Sequence, residues 1–487
     1  MTETLTISKF NEVYITVDCD SNVAMELKDY FTFKVPGYRF MPAYRNKTWS
    51  GDIHLFNPLS RRVYYGLIPY INKFCESRSY NLVFDKNVQS FNNIDSDTIV
   101  KFIEDLNLPF KPRGYQLEAF LHAIRTKRSL LVSPTASGKS LIIYMITKWF
   151  IERDSIKTLI IVPTISLVEQ MKGDFVSYGC DESLIHTIMA GREKITSSPI
   201  VISTWQSIHK MPKQWFEQYD VVIGDEAHQY KAKSLTSILE KMTKCSIRLG
   251  FTGTLDGTQT HRLVLEGLFG GVKKVTTTAE LIEQKHLADF KIQSIILKHT
   301  DANRKEFSKA EYQDELDFIV RCEARNNFIS QLALHLKGNT LILYQFVEKH
   351  GKPLHEMLTK QNKDDRHIFF VSGEVDVEDR ELVRKITEKE TNAIIVASYG
   401  TFSTGINIRN LHNVVFASPT KSRIRSLQSI GRALRRGDNK EQAVLYDISD
   451  DLSWKKSQNH TLKHFIERVG IYTSEKFEYK ITNYQLR

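Results

Sequence analysis

From Leu130 onward the chain repeats one pattern: a short apolar run rich in β-branched residues, a polar or glycine-containing turn, then a helical stretch. The runs fall at 130–132, 158–163, 200–203, 219–223 and 247–251, and the rhythm restarts at 340–346, 368–371, 393–397, 413–417 and 443–446. Apolar runs without polar alternation belong to strands covered on both faces, the condition of a parallel sheet flanked by helices. Two successive open parallel sheets, each wound by strand–helix units, are the simplest fold this pattern admits. The seam between them is expected at 284–289.

Residues 1 to about 90 break the rhythm, with aromatic and β-forming residues punctuated by Pro36-Gly37, Ser50-Gly51, Asn57-Pro58 and Tyr65-Gly66. A polar stretch at 87–97 follows, so the segment reads as a small α+β domain on a linker. Ile99, Val100, Ile103 and Leu106 then mark a short amphipathic helix that ends before Pro109. The expected division is 1–90, 91–285 and 286–487. A chain of 487 residues is indeed too long for one core.

Composition narrows the class. A hydrophobic content of 41% and a charged content of 25% are those of a globular protein, and a net charge of +10 favours a polyanionic partner, nucleic acid before membrane. The N-terminus lacks the apolar run of a signal peptide, and the most apolar helix, 141–151, is interrupted by Lys148 and too short to cross a bilayer. Five cysteines without a C-x-x-C pair indicate neither zinc nor a disulfide framework, and read as reduced, buried thiols in a cytoplasm.

The string Leu130 to Ser140 joins an apolar strand to an apolar helix through a loop ending in Gly138-Lys139-Ser140. In a phosphate loop, Thr135, Ala136, Ser137 and Gly138 aim backbone N–H groups at phosphates, Lys139 reaches the outer phosphates, and the Ser140 hydroxyl holds Mg²⁺. A bare triplet of this kind arises by chance in roughly one chain in four of this length, and the first glycine of the usual pattern is replaced by Ser133. A plain helix start, with Ser137 as cap and Lys139 in solvent, fits the same string.

Asp225-Glu226-Ala227-His228 follows the apolar run 219–223, and ligands of open α/β sheets bind beyond that strand end. There Asp225 is placed to hold Mg²⁺ and Glu226 to orient the attacking water, because phosphoryl transfer needs positioning and charge neutralisation. The alternative is an acidic turn capping a helix.

Farther on, Gln428, Arg432 and Arg435 lie at i, i+4 and i+7, beside an apolar stripe of Leu427, Ile430 and Leu434. An arginine brought to a γ-phosphate contributes on the order of 10³ to 10⁵ in rate. The alternative, a basic helix touching nucleic-acid phosphates, is the reading for Arg423, Arg425 and Arg436. Turns at Thr164, Thr204, Thr252-Gly253-Thr254, Ser372-Gly373 and Thr401 to Gly405 carry hydroxyls and glycines. Such residues let the backbone approach phosphates without reading bases; taken singly each is more often a helix cap, and their value lies in their order.

In this order the strings resemble the superfamily-two helicase and translocase core, over about residues 110–450. The resemblance implies two RecA-like domains that hold ATP and Mg²⁺ between them, with Lys139, Asp225, Glu226, Gln428, Arg432 and Arg435 catalytic and Gly405 at the nucleotide. Thr164, Thr204, Ser372, Gly373 and Thr401 fall at nucleic-acid-binding positions. Arg113-Gly114-Tyr115-Gln116 resembles the family's adenine-reading segment, so Gln116 implies ATP over GTP.

The stretch 37–52, with 372–376 and 398–400, is further similar to recombination helicases of T-even-like bacteriophages. That likeness implies remodelling of Holliday junctions, stalled forks and R-loops in a host cytoplasm. Between Phe33 and Tyr65, Lys34, Arg39, Arg45, Lys47, Arg61 and Arg62 face a single acid, Asp52, and are interleaved with aromatics. Arg39, Arg45 and Lys47 are candidates for DNA phosphates and the aromatics for base stacking. A strand-rich module with its aromatics in the core is the alternative.

The expectation is thus an ATP-dependent DNA translocase, a monomer or weakly self-associating. An RNA-remodelling helicase, a restriction motor and a non-catalytic annealing protein stand as rivals. Asn362-Lys363-Asp364-Asp365 fits a guanine-reading pattern but reads as a surface turn.

Overall fold

The computed structural model describes residues 3–88, 94–189, 191–255, 258–373, 377–404, 408, 410–420, 430–431 and 442–486. They group into two compact units, Met1–Ser133 with Gly138–Thr276, and Thr277–Arg487 with Pro134–Ser137.

The first unit opens with a four-stranded mixed sheet in the order Arg62–Tyr64, Tyr14–Asp18, Thr4–Lys9, Asn81–Phe84. Leu5, Ile7, Ile15 and Val17 alternate inward along its strands and pack on Leu27, Ile71 and Phe74 from the helices Ser21–Tyr30 and Ile68–Arg78, and on Phe31, which follows the first of them. This is the small α+β piece expected at the N-terminus. An antiparallel pair, Thr32–Lys34 with Asp52–His54, carries the segment 35–51 between its strands.

The piece is not tethered as the polar stretch after it suggests. Leu263, on the helix Gln259–Phe269, belongs to the same hydrophobic core. The hydroxyls of Tyr64 and Tyr14 both donate to Glu240, at 2.6 and 3.1 Å, and Arg128 pairs with Glu12 at 2.5 Å while lying over the Tyr65 ring. Gly66 lets the backbones meet, since a Cβ there would overlap the carbonyl of Glu266. The N-terminal domain is therefore fused to the sheet domain that follows.

That domain is a seven-stranded sheet in the order Val272–Lys274, Arg128–Val132, Ile247–Thr252, Val221–Gly224, Thr158–Val162, Ile200–Thr204, Ile185–Ile188, with every pairing parallel. Its central residues alternate between two cores. Ile160, Ile202, Ile223 and Leu249 pack on one face, while Leu159, Ile161, Val201 and Val222 pack on the other. Burial on both faces is why these strands read as unbroken apolar runs.

The second unit holds another all-parallel seven-stranded sheet, ordered Ile368–Val371, Ile394–Ser398, Thr340–Tyr344, Asn413–Phe416, Gln442–Asp451, Asp289–Lys298, Glu478–Gln485. One buried ion pair here is Arg468 with Asp447: Arg468 donates to both carboxylate oxygens, at 2.9 and 2.8 Å, and Tyr472 donates to the same carboxylate. Asn362 to Asp365 forms a turn before Ile368–Val371, closed by the Asn362 side chain on the Arg366 carbonyl at 2.8 Å. Two tandem RecA-like sheets thus follow a smaller mixed one, as the sequence led us to expect.

Candidate nucleotide and nucleic-acid site

Register brings the motifs of the first sheet to one edge. Arg128–Val132 pairs with Ile247–Thr252 so that Val132 lies opposite Thr252, and Ile247–Thr252 pairs in turn with Val221–Gly224. Three parallel strands therefore deliver the loop before Lys139, Asp225 and Thr252 to the same C-terminal end, where open α/β sheets bind ligands.

Ser133, standing where the usual pattern has glycine, still behaves as strand: its N–H donates to the Thr252 carbonyl at 2.9 Å, and its side chain is buried. The left-handed backbone is supplied later in the loop, by Ala136 at φ 66° and Gly138 at φ 79°. Ser137 donates its hydroxyl to the Pro134 carbonyl at 2.7 Å. The N-cap of the helix Lys139–Asp154 is Gly138, which makes no side-chain cap. A helix start left uncapped in this way favours an anion.

Lys139 is not in open solvent. Its Nζ donates to the Ser133 carbonyl at 3.4 Å, and its charge is felt by Asp225. The Ser140 hydroxyl lies 2.9 Å from that of Tyr178, a neighbour no sequence signal announces. Gln116 is buried at the start of the helix Gly114–Thr126, where its Oε1 accepts the Arg113 N–H at 2.9 Å and its Nε2 lies 3.5 Å from the Gly138 carbonyl.

Asp225 is only 8% exposed, and its Oδ1 accepts the N–H of Glu226 at 2.9 Å. Desolvation first, and the charge of Glu226 second, push its carboxyl up to about 6, against the opposing pull of Lys139. A buried carboxylate raised in this way is one that a divalent cation relieves, so Asp225 fits Mg²⁺.

Glu226 adopts φ 48°, ψ 49°, a left-handed conformation that costs a non-glycine residue roughly 1–3 kcal/mol. Its Oε2 lies 3.2 Å from His228 Nδ1, and that nitrogen lies 3.0 Å from Thr252 Oγ1. Thr252 Oγ1 donates onward to the Thr254 carbonyl at 2.9 Å, so it accepts from an Nδ1–H tautomer of His228. One imidazole thereby ties Asp-Glu-Ala-His to Thr-Gly-Thr.

The hydroxyl candidates are engaged locally. Thr164 caps the helix Ile165–Ser177 through the N–H of Leu167 at 3.4 Å, and Thr204 Oγ1 lies 2.9 Å from Ser207 Oγ. The Thr401 backbone N–H donates to the Ser398 hydroxyl oxygen at 3.1 Å. Ser372 is buried after Ile368–Val371, and Gly373 is exposed beside it. In the segment 35–51, Tyr38 and Tyr44 pack edge-on at 4.8 Å, Trp49 donates to the Asp52 carbonyl, and Lys34 pairs with Asp52 at 3.0 Å. Phe40 is 77% exposed, flanked by exposed Arg39, Arg45 and Lys47. Arg61 and Arg62 lie elsewhere, on the Cys19 carbonyl and over the Phe10 ring. Gly405, Gln428, Arg432 and Arg435, with Arg423, Arg425 and Arg436, lie outside the described residues.

Comparison with known proteins agrees with this geometry. Residues 5–85 match the family described as DNA helicase UvsW, N-terminal; residues 109–257 match Type III restriction enzyme, res subunit; and residues 324–437 match Helicase conserved C-terminal domain. The chain is 34% identical to the ATP-dependent DNA helicase uvsW of Enterobacteria phage T4, over 96% of each chain. The crystal structure of T4 UvsW aligns over 100% of both chains with a TM-score of 0.54 and 32% identity. A fragment of an HsdR subunit of a type I restriction enzyme from Vibrio vulnificus, 18% identical, shares the fold with a TM-score of 0.59 over 90% of this chain and 77% of its own. Among the described residues no helix is long and apolar enough to cross a membrane. With a relative of this identity matched almost end to end, the chain belongs to the UvsW family of superfamily-two DNA helicases and is an ATP-hydrolysing enzyme.

Proposed function

We propose that the protein spends ATP to move along DNA and to unwind or branch-migrate branched molecules: Holliday junctions, stalled forks and R-loops. The observation that carries the reading is the convergence of Lys139, Asp225 and the Glu226–His228–Thr252 link at one sheet edge, beside an uncapped helix start. That arrangement suits a triphosphate.

In this reading the backbone of Thr135 to Gly138 cradles the phosphates, Lys139 neutralises their charge, and Gln116 recognises adenine. Ser140 and Asp225 hold Mg²⁺, which when bound draws charge from the terminal phosphates. Glu226 orients the attacking water; His228 fixes the Glu226 carboxylate and senses Thr252. Gln428, Arg432 and Arg435 stabilise the charge that develops on the γ-phosphate, and Gly405 lies at the nucleotide.

DNA is gripped chiefly through phosphates, by Thr164, Thr204, Ser372, Gly373 and Thr401 at the sheet ends and by Arg39, Arg45 and Lys47 on the N-terminal domain. Phe40, exposed among those cations, is placed to meet bases at a branch. The working division is 1–90 for nucleic-acid binding, 91–285 for ATP and 286–487 for the arginines, acting in a cytoplasm as a monomer or weak self-associate.

ATP turnover should be measured with four-way junction, linear duplex, single-stranded DNA and RNA in parallel. The proposal expects the junction to stimulate turnover most. Equal or greater stimulation by RNA would make the protein an RNA-remodelling helicase, and maximal stimulation by linear duplex alone would make it a restriction-type motor.

A further inference from the structure

Ser140 is the second residue of the helix Lys139–Asp154, and Tyr144 stands one turn later on the same face. A side chain from outside the helix meets both. The Tyr178 hydroxyl lies 2.9 Å from Ser140 Oγ, and the Tyr178 ring lies 5.6 Å from that of Tyr144.

Tyr178 is carried to this place by the end of the helix Ile165–Ser177, where its N–H donates to the carbonyls of Asp174 and Phe175, at 3.0 and 3.1 Å. Gly179, at φ 96°, then turns the chain away. The Gly179 N–H returns to the Val176 carbonyl and that of Cys180 to the Phe175 carbonyl, both at 3.0 Å, the pair of bonds that closes a helix on a left-handed glycine. The ring is gripped as well. Phe110 meets it edge-on at 5.7 Å, and Tyr144, on its other contact, is itself packed on Phe175 at 5.2 Å. Burial pushes the Tyr178 phenol up, so at neutral pH it is an uncharged hydroxyl, able both to donate and to accept.

We propose that Tyr178 is a positioning residue for magnesium that acts through Ser140, an inference resting on the reading of Ser140 as a metal ligand. A serine that offers an oxygen lone pair to a cation must direct its O–H elsewhere, and an unheld hydroxyl spreads that lone pair over several rotamers. Tyr178 Oη accepts the Ser140 O–H and leaves the serine oxygen free for the metal. Without a cation the phenol donates instead, so the two hydroxyls stay joined in either state. Asp225, the other ligand in that reading, is oriented separately, by the Glu226 N–H on its Oδ1. Each ligand thus has its own orienting partner, and such partners tune how tightly a metal is held.

The test titrates the whole protein with the fluorescent nucleotide mant-ADP, once in magnesium and once in EDTA. Magnesium should tighten binding to the wild type. Tyr178→Phe, which keeps the ring between Phe110 and Tyr144, should reduce that gain by about 5–10-fold. A ring that only packs would alter both titrations together and leave their ratio where it was. In a Ser140→Ala background the same change should have no further effect on the ratio, because the tyrosine acts through that hydroxyl. A ratio unaltered by Tyr178→Phe, or a further fall with Ser140→Ala in place, would overturn the proposal and leave the magnesium reading standing. A wild type whose affinity ignores magnesium would overturn both.

Discussion

Asp225 shows what the site asks of one side chain. Its carboxyl, raised from its ordinary 3.8 to about 6, binds a proton in the folded protein that the unfolded chain has already lost over that range. Stability linked to this group is therefore fully present only below the unfolded value and is lost as pH rises from there to the folded value, above which the loss is complete. Without magnesium or nucleotide, Asp225→Asn is expected to be more stable than the wild type at pH 7.5, by about 1–3 kcal/mol, with the gap narrowing to roughly half at pH 5. Urea unfolding at the two pH values measures it. The same variant should lose ATP turnover, the compromise expected where function needs a strained charge.

His228 is argued to act through Glu226 rather than on the phosphate itself, because its Nδ1 is shared between Glu226 and Thr252. His228→Ala should lower kcat by about 10–100-fold with little change in the KM for ATP, as removal of an orienting partner does. Steady-state kinetics separates the two. At this scale the sequence was most informative where chemistry demands adjacent residues: the neighbours Lys139 and Ser140, then Asp225, Glu226 and His228, stand in strings that carry their own context. Tyr178 beside Ser140, and the helix-capping bond of Gln116, arise from tertiary packing and leave no local pattern.

Among the elements, the strands that were legible are those whose burial is complete. Ile200–Thr204 and Thr340–Tyr344 are buried along their whole length and appear as unbroken apolar runs. Glu478–Gln485 is the opposite case, an edge strand exposed at every position, whose polar sequence shows no periodicity to read. Asp289–Lys298 alternates, and Val272–Lys274 is three residues long, so neither declares itself as a parallel strand. In the short helix Ser96–Asp105, Phe102 rather than Val100 faces the core, a shift of two positions within one amphipathic turn.

The docking of the N-terminal domain lay beyond the sequence as well, for the polar segment after it resembles a tether. Gly66 tests that docking directly. Gly66→Ala should destabilise the protein by at least about 2 kcal/mol, because the added Cβ meets the Glu266 backbone and not a flexible side chain. Denaturant unfolding followed by tryptophan fluorescence provides the measure.

For the molecule as a whole, two parallel sheets give two strand edges at which loops can be held rigidly, and the first of them carries the loop before Lys139 with both carboxylates. The fused N-terminal domain adds a basic, aromatic segment to the same compact unit, so whatever it grips is linked to the lobe that holds Lys139. The central claim is that a single ATP site built on Lys139 and Glu226 drives work on branched DNA. The most direct measurement is ATP turnover and four-way-junction unwinding by Glu226→Gln, alongside its binding of ATP and of the junction. The account predicts both activities to fall by at least about 10³-fold while both ligands still bind; turnover that persists near the wild-type rate would contradict it.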